Sequence, residues 1–208
     1  MRPGRFIALE GGEAVGKSTQ ARRLAAALRE QGREVVETRE PGGSAGAEAI
    51  RSLLMRGEED RWSPAAEALL FAAARSDHVS RFILPALEAG RWVMCDRFVH
   101  SSIAYQGIAG AVGEERIRLL HDVGSEGLLP DRVLLLRLDP AEAARRMAER
   151  DGASLDRFGS RGRDFHEAVD RAFVQLAAGD PRRFRTVDAA GEETQVTSRL
   201  MDALADLR

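Results

Sequence analysis

Cysteine is almost missing from this 208-residue chain: Cys95 stands alone, inside the apolar run Trp92 to Cys95. A single cysteine excludes an internal disulfide framework and suits a reducing compartment. Its apolar setting marks it as a small core filler rather than a nucleophile. Metal-ligand spacing is missing too. His78, His100, His121 and His166 lie far apart and none pairs with a cysteine, so no protein-held zinc site is expected. Net charge is small: 31 basic against 33 acidic side chains leave -2. That removes the overall positive field by which a nucleic-acid polymer or an anionic membrane would be recognised. No hydrophobic run approaches membrane-spanning length, and the apolar part of MRPGRFIALEGG is too short for a signal peptide. A cytoplasmic protein is the expectation. Internal repeats and interdomain linkers are also lacking, and 208 residues with 44% hydrophobic content suit one well-buried core, a single domain over residues 1–208.

What the chain does contain is FIALEGGEAVGKST, from Phe6 to Thr19. Gly11, four residues, then Gly16, Lys17 and Ser18 is the spacing of a phosphate loop, in which small residues let backbone N–H groups turn inward on an anion. The whole stretch Gly11, Gly12, Glu13, Ala14, Val15, Gly16, Lys17, Ser18 and Thr19 is the candidate triphosphate site. Lys17 would reach the β and γ phosphates of a nucleoside triphosphate, and the Ser18 hydroxyl would ligate a bridging Mg2+. A glycine turn that binds nothing would have the same spacing. The context favours the site, because Phe6 to Glu10 reads as a strand and Lys17 to about Arg29 as a helix.

Strand-like and helical segments alternate from there on, which argues for a parallel sheet with helices on both faces. Further strands are expected at 34–38, 91–96, 132–138 and 184–187. Helices are expected at 47–56, from Pro64 with a bend near Pro85, from Val99 to Gln106, and at 141–150, 165–178 and 193–207. Between two helical patterns lies DGASLDRFGSRGRD, rich in glycine, serine and arginine, which reads as a mobile flap over 151–163.

A second stretch, CDRFVHSSIAYQG, ends a strand in Asp96 and Arg97. The carboxyl edge of an open α/β sheet is where ligands bind. Asp96 suits magnesium or its water, and Arg97 suits a bridge between donor and acceptor phosphates. Ser102, Tyr105 and Gln106 follow at i, i+3 and i+4 and share one helix face. Phe71 and Arg75, four apart in LLFAAARSDH, would offer a planar base a ring and a donor. On periodicity alone Phe71 is equally a core residue.

With these residues in view the chain resembles the bacterial thymidylate kinases. The likeness is carried by FIALEGGEAVGKST, TREPGG at Thr38 to Gly43, LLFAAAR at Leu69 to Arg75, DRFVHSSIAYQG at Asp96 to Gly107, and Asp156-Arg157-Phe158, all in family order. The resemblance implies a three-layer phosphate-loop nucleoside monophosphate kinase fold of the α/β class, with a mostly parallel central sheet and a mobile lid. It implies transfer of the ATP γ-phosphoryl to dTMP, with Mg2+, by a homodimer. Position by position, it makes Phe71 the thymine-stacking ring and Arg75 the donor to a thymine carbonyl. Arg39, Arg51 and Arg97 become acceptor-phosphate ligands, and Glu13 the loop carboxylate near the acceptor. Ser102 and Gln106 become nucleotide contacts, and Tyr105 the ring that crowds a ribose 2′-hydroxyl. Ala14 stands where some members carry a loop arginine, so the catalytic arginine is expected in the lid, Arg157 ahead of Arg150 and Arg161. The lid arginines could instead belong to a solvated loop. Gly159 replaces a glutamate common in relatives, and Ser102 a threonine or asparagine. A kinase of the same fold for another monophosphate, or a phosphate-loop regulatory protein, remain the competing readings.

Overall fold

The computed structural model describes residues 4–58, 60–150, 157–159 and 161–207. Among the described residues five strands form one sheet, β1 (Phe6–Glu10), β2 (Val35–Arg39), β3 (Trp92–Asp96), β4 (Arg132–Arg137) and β5 (Phe184–Asp188), in the order β2-β3-β1-β4-β5. Every pairing is parallel.

Alternation along the strands feeds two cores. Phe6 and Ala8 of β1, Val93 and Cys95 of β3, and Val133 and Leu135 of β4 join one buried cluster. Ile7 and Leu9, Trp92 and Met94, and Leu134 and Leu136 join the other. Burial on both faces is why these segments read as continuous apolar runs. The second cluster is closed by α1 (Lys17–Glu30), through Ala21, Leu24, Ala25 and Leu28, and by α9 (Glu193–Asp202), through Val196 and Leu200. The first is closed by α3 (Pro64–His78), α5 (Val99–Ser102), α6 (Glu114–Ser125) and α8 (Arg163–Gly179). The helix after β1 thus covers one face and the helix after β3 the other. That divergence opens a crevice at the carboxyl ends of β1 and β3, where open α/β sheets bind ligands.

The remaining helices are α2 (Ala45–Met55), α4 (Leu84–Glu88) and α7 (Pro140–Arg150). The bend expected near Pro85 is a π turn over Val79–Ile83, with the Leu84 N–H reaching back to the Val79 carbonyl. The wider turn accommodates a residue with no N–H of its own. A second π turn, Ile103–Ala109, continues α5. The expected C-terminal helix stops at Asp202 rather than Leu207, although Leu204 beyond it is fully buried. Helix α6 was not anticipated. Its signals were Gly113 before it, Glu114 and Glu115 in its first turn, and buried Ile117, His121 and Ser125 at four-residue spacing. Of the expected lid, residues 151–156 and 160 lie outside the described residues, as does the side chain of Arg150.

Candidate active site

β1 runs into a loop whose backbone only small residues allow. Gly11 has φ 140° and Gly16 φ 88°, and Ala14 shares the left-handed region at φ 57°. A Cβ on Gly11 would run into the Leu136 carbonyl oxygen of the neighbouring strand. Gly16 caps α1 without a side chain, and the first turn of α1 holds no acidic residue. The positive end of a 14-residue helix therefore faces the loop uncompensated. Val15 is buried beneath the loop, whereas Gly12 has open space where a side chain would stand. Lys17 is buried and its Nζ donates to the Gly12 carbonyl. Burial, with Arg97 nearby, brings its pKa down to about 8.

Ser18 Oγ donates to Asp96 Oδ2 at the end of β3, while Asp96 Oδ1 is buried with no hydrogen-bond partner. A hydroxyl beside an unmatched anionic oxygen fits a hard divalent cation. Among the described residues no group of three or more His, Cys, Asp or Glu could hold a metal by itself. A cation here would thus need oxygens from the nucleotide as well.

Arg97 follows Asp96 in a left-handed conformation, φ 68°. Its Nη2 meets Glu13 Oε1 at 2.6 Å, and its Nη1 donates to the Gly11 carbonyl and to Ser101 Oγ, each at 3.1 Å. Tyr105 lays its ring 5.1 Å from the guanidinium and donates its hydroxyl to Glu13 at 2.9 Å. Burial alone would raise the Glu13 pKa, but Arg97, Lys17 and Tyr105 bring it down to about 2. Glu10, at the end of β1, is fully buried. Burial pushes its pKa up to about 7 against the pull of Ser101, Arg97 and the Phe98 N–H.

Beside this cluster lies an open cleft lined by Phe71, Arg75, Arg97, Ser102, Tyr105, Gln106, Arg51, Glu13 and Glu40, among others. Arg75 is 3% exposed, bonded through Nε to Glu40 Oε2 at 2.7 Å and through Nη2 to Ser102 Oγ at 2.7 Å. Burial alone would raise the Glu40 pKa; Arg75 and His78 hold it below its ordinary value. Arg51 donates to the Pro41 carbonyl at 2.6 Å. Arg39 is half exposed and pairs with Glu48, outside the cleft lining.

The fold therefore brings Lys17, Glu13, Ser18, Asp96 and Arg97 together, and sets Phe71, Arg75, Ser102, Tyr105 and Gln106 around an adjoining cleft. The lid arginines are elsewhere engaged. Arg157 is buried, its Nη2 2.9 Å from Glu67 Oε2, and Arg161 reaches the same carboxylate at 2.9 Å. Gln106 donates to the other Glu67 oxygen at 3.0 Å. Phe158 stands edge-on to Phe71, centroids 5.5 Å apart, and lines the cleft. The sequence reading gave no role to Glu40, Glu67 or Ser101. Glu67 had a visible signal, being four residues before Phe71 and eight before Arg75 on one face of α3.

Comparison with known proteins decides among kinases of this architecture. The family model for thymidylate kinase matches residues 9–200. The chain belongs to the thymidylate kinase family. It is similar to the thymidylate kinase of Rhizorhabdus wittichii, 62% identical over 205 residues and 99% of both chains. It is also similar to that of Caulobacter vibrioides, 46% identical over 204 residues, 98% of this chain and 97% of the other. Among solved structures, the thymidylate kinase of Ehrlichia chaffeensis superposes with a TM-score of 0.79 at 29% identity, covering 97% of this chain and all of that one. As a member of this family the chain is an ATP-dependent nucleoside monophosphate kinase that converts dTMP to dTDP.

The raised Glu10 pKa makes a prediction about stability. Because the folded state holds that proton up to about pH 7 while the ordinary value is 4.5, unfolding free energy falls as pH rises through that window. Urea unfolding of the Glu10→Gln protein should lack this component. The difference between the two proteins should shift by on the order of 3 kcal/mol between pH 4.5 and 7.5. A pH-independent difference would contradict the assignment.

Proposed function

We propose a division of labour for phosphoryl transfer from ATP to dTMP. The N–H groups of Gly11 to Thr19 and the end of α1 hold the ATP phosphates, with Lys17 as the point charge on the β and γ groups. Ser18 and Asp96 would hold Mg2+, which would supply positive charge against the phosphates. The acceptor lies in the adjoining cleft. Phe71 stacks on thymine, Arg75 donates to a thymine carbonyl, and Ser102 and Gln106 complete the base edge. Tyr105 crowds the position of a ribose 2′-hydroxyl. The 5′-phosphate approaches Arg97, with Arg51 and Arg39 behind it and Glu13 between loop and acceptor.

One observation carries this reading: the Arg97 guanidinium bonds the phosphate loop at Gly11 and Glu13 while also lining the acceptor cleft. In-line transfer asks little covalent work of the protein and much placement of charge. Two polyanions repel, and a cation between them offsets that repulsion where charge builds. Arg157 is assigned to the transferring group once it has left Glu67, and closure of the lid over 151–163 would keep water from accepting the phosphoryl group.

A homodimer and a cytoplasmic location complete the proposal. Leu53, Leu69, Leu119 and Val123 are exposed large hydrophobics on α2, α3 and α6, and α3 packs against both of the others. Such a surface suits an interface with a second copy. Cys95 is buried and free, as a reducing compartment allows, and no described helix is long and apolar enough to cross a membrane.

An ADP-release assay across a panel of monophosphates tests the acceptor site. Arg75→Ala should lower kcat/KM for dTMP by roughly ten- to a hundredfold, the loss of a charged hydrogen bond, with ATP affinity unchanged. Equal turnover of dTMP by both proteins would contradict the role of Arg75. For assembly, light scattering should give twice the chain mass, and Leu119→Glu combined with Val123→Glu should give the chain mass. A parent protein that is already monomeric would contradict the dimer.

A further inference from the structure

Glu10 closes β1 one residue before the phosphate loop, and its carboxylate collects three donors from the other side of the crevice. Oε1 accepts the Phe98 N–H at 2.9 Å and the Ser101 N–H at 3.1 Å, and Oε2 accepts the Ser101 hydroxyl at 2.6 Å. The first two are amides at the start of α5, whose own cap residue, Phe98, has no side chain able to serve them. Arg97 lies between. Its left-handed φ of 68° is one that L side chains avoid. Both flanking amides are tied to β1: the Arg97 N–H donates to the Leu9 carbonyl at 2.9 Å, and the Phe98 N–H to Glu10. Ser101 Oγ links the two side chains, donating to Glu10 and accepting Arg97 Nη1 at 3.1 Å.

We infer that Glu10 is a positioning residue for phosphoryl transfer: its carboxylate clamps the left-handed turn at Arg97 and, through Ser101 Oγ, aims the guanidinium between the phosphate loop and the acceptor cleft. This inference rests on the bridging role given to Arg97 above. A fully buried carboxyl group beside a phosphate site is costly unless its oxygens are matched, and here the matching donors all come from the Arg97 turn. The clamp gives it a use that an apolar residue could not fill. A glutamine could still accept two amides on one oxygen but would present an N–H₂ to the Ser101 hydroxyl. The Ser101 hydroxyl would then have to turn its proton away from residue 10, and the bond that fixes its oxygen as an acceptor for Arg97 would be lost.

The test is a double-mutant cycle on the full chain, with kcat and both KM values measured beside ATP affinity and thermal unfolding. Glu10→Gln should lower kcat about tenfold or more while the ATP dissociation constant moves less than about twofold. Ser101→Ala, which cuts the link to the guanidinium and leaves both amide bonds, should lower kcat several-fold. In an Arg97→Ala background either change should cost less than about twofold, because the group it acts through is gone. Should Glu10→Gln fail to fold, Ser101→Ala and its pairing with Arg97→Ala carry the same comparison. The inference is overturned if the folded variants keep the parent kcat and lose only stability, or if their losses multiply in full onto that of Arg97→Ala. Parental turnover by Arg97→Ala itself would instead overturn the role of Arg97.

Discussion

The ion pair between Arg97 and Glu13, 2.6 Å long with the two side chains 17% and 26% exposed, joins the end of β3 to the loop that leaves β1. Everything else at the site is placed relative to it. The loop supplies N–H groups and Lys17 on one side, and the cleft with Phe71 and Arg75 opens on the other. Because charges that leave water must be matched, the pair holds the Arg97 guanidinium between the loop and the cleft. The parallel register, in which Leu9 and Arg39 both stand opposite Asp96, brings the three strand ends level.

Buried carboxylates recur around the cleft, each dressed with donors. Glu10 holds the Arg97 turn, Glu40 holds Arg75 together with His78, and Glu67 gathers Gln106, Arg157 and Arg161. Each arrangement spends buried charge to fix a guanidinium, which has five donors in a rigid fork and transmits orientation well. Preorganisation of this kind suits a reaction that depends on positioned charge rather than on covalent chemistry. Glu67 in this way holds two arginines, Arg157 and Arg161, beside the cleft.

Much of this was legible in the sequence because it depends on local rules. Glycine spacing gave the phosphate loop, apolar runs bounded by turn residues gave the strands, and i, i+4 spacing put Phe71 and Arg75 on one face. Helix α6 was overlooked because its polar residues outnumber the apolar ones that mark its buried face, Ile117 with Leu120 packed beside it. Glu10, Glu40 and Glu67 were harder. A carboxylate's partners lie on distant segments, so Glu10 reading Ser101 across 91 positions, or Glu67 reading Arg161 across 94, has no local signature. Arg39 shows the reverse case. Its motif points to an acceptor phosphate, a role for which it would have to leave the Glu48 contact it makes at the surface.

The most direct measurement is a structure of the protein with dTMP, Mg2+ and a non-hydrolysable ATP analogue bound together. The account predicts thymine against Phe71 with a carbonyl on Arg75, the triphosphate along Gly11 to Thr19, and the dTMP phosphate bonded to Arg97 in place of a Glu13 contact. A dTMP phosphate seated away from Arg97, with the Arg97–Glu13 pair intact, would contradict it.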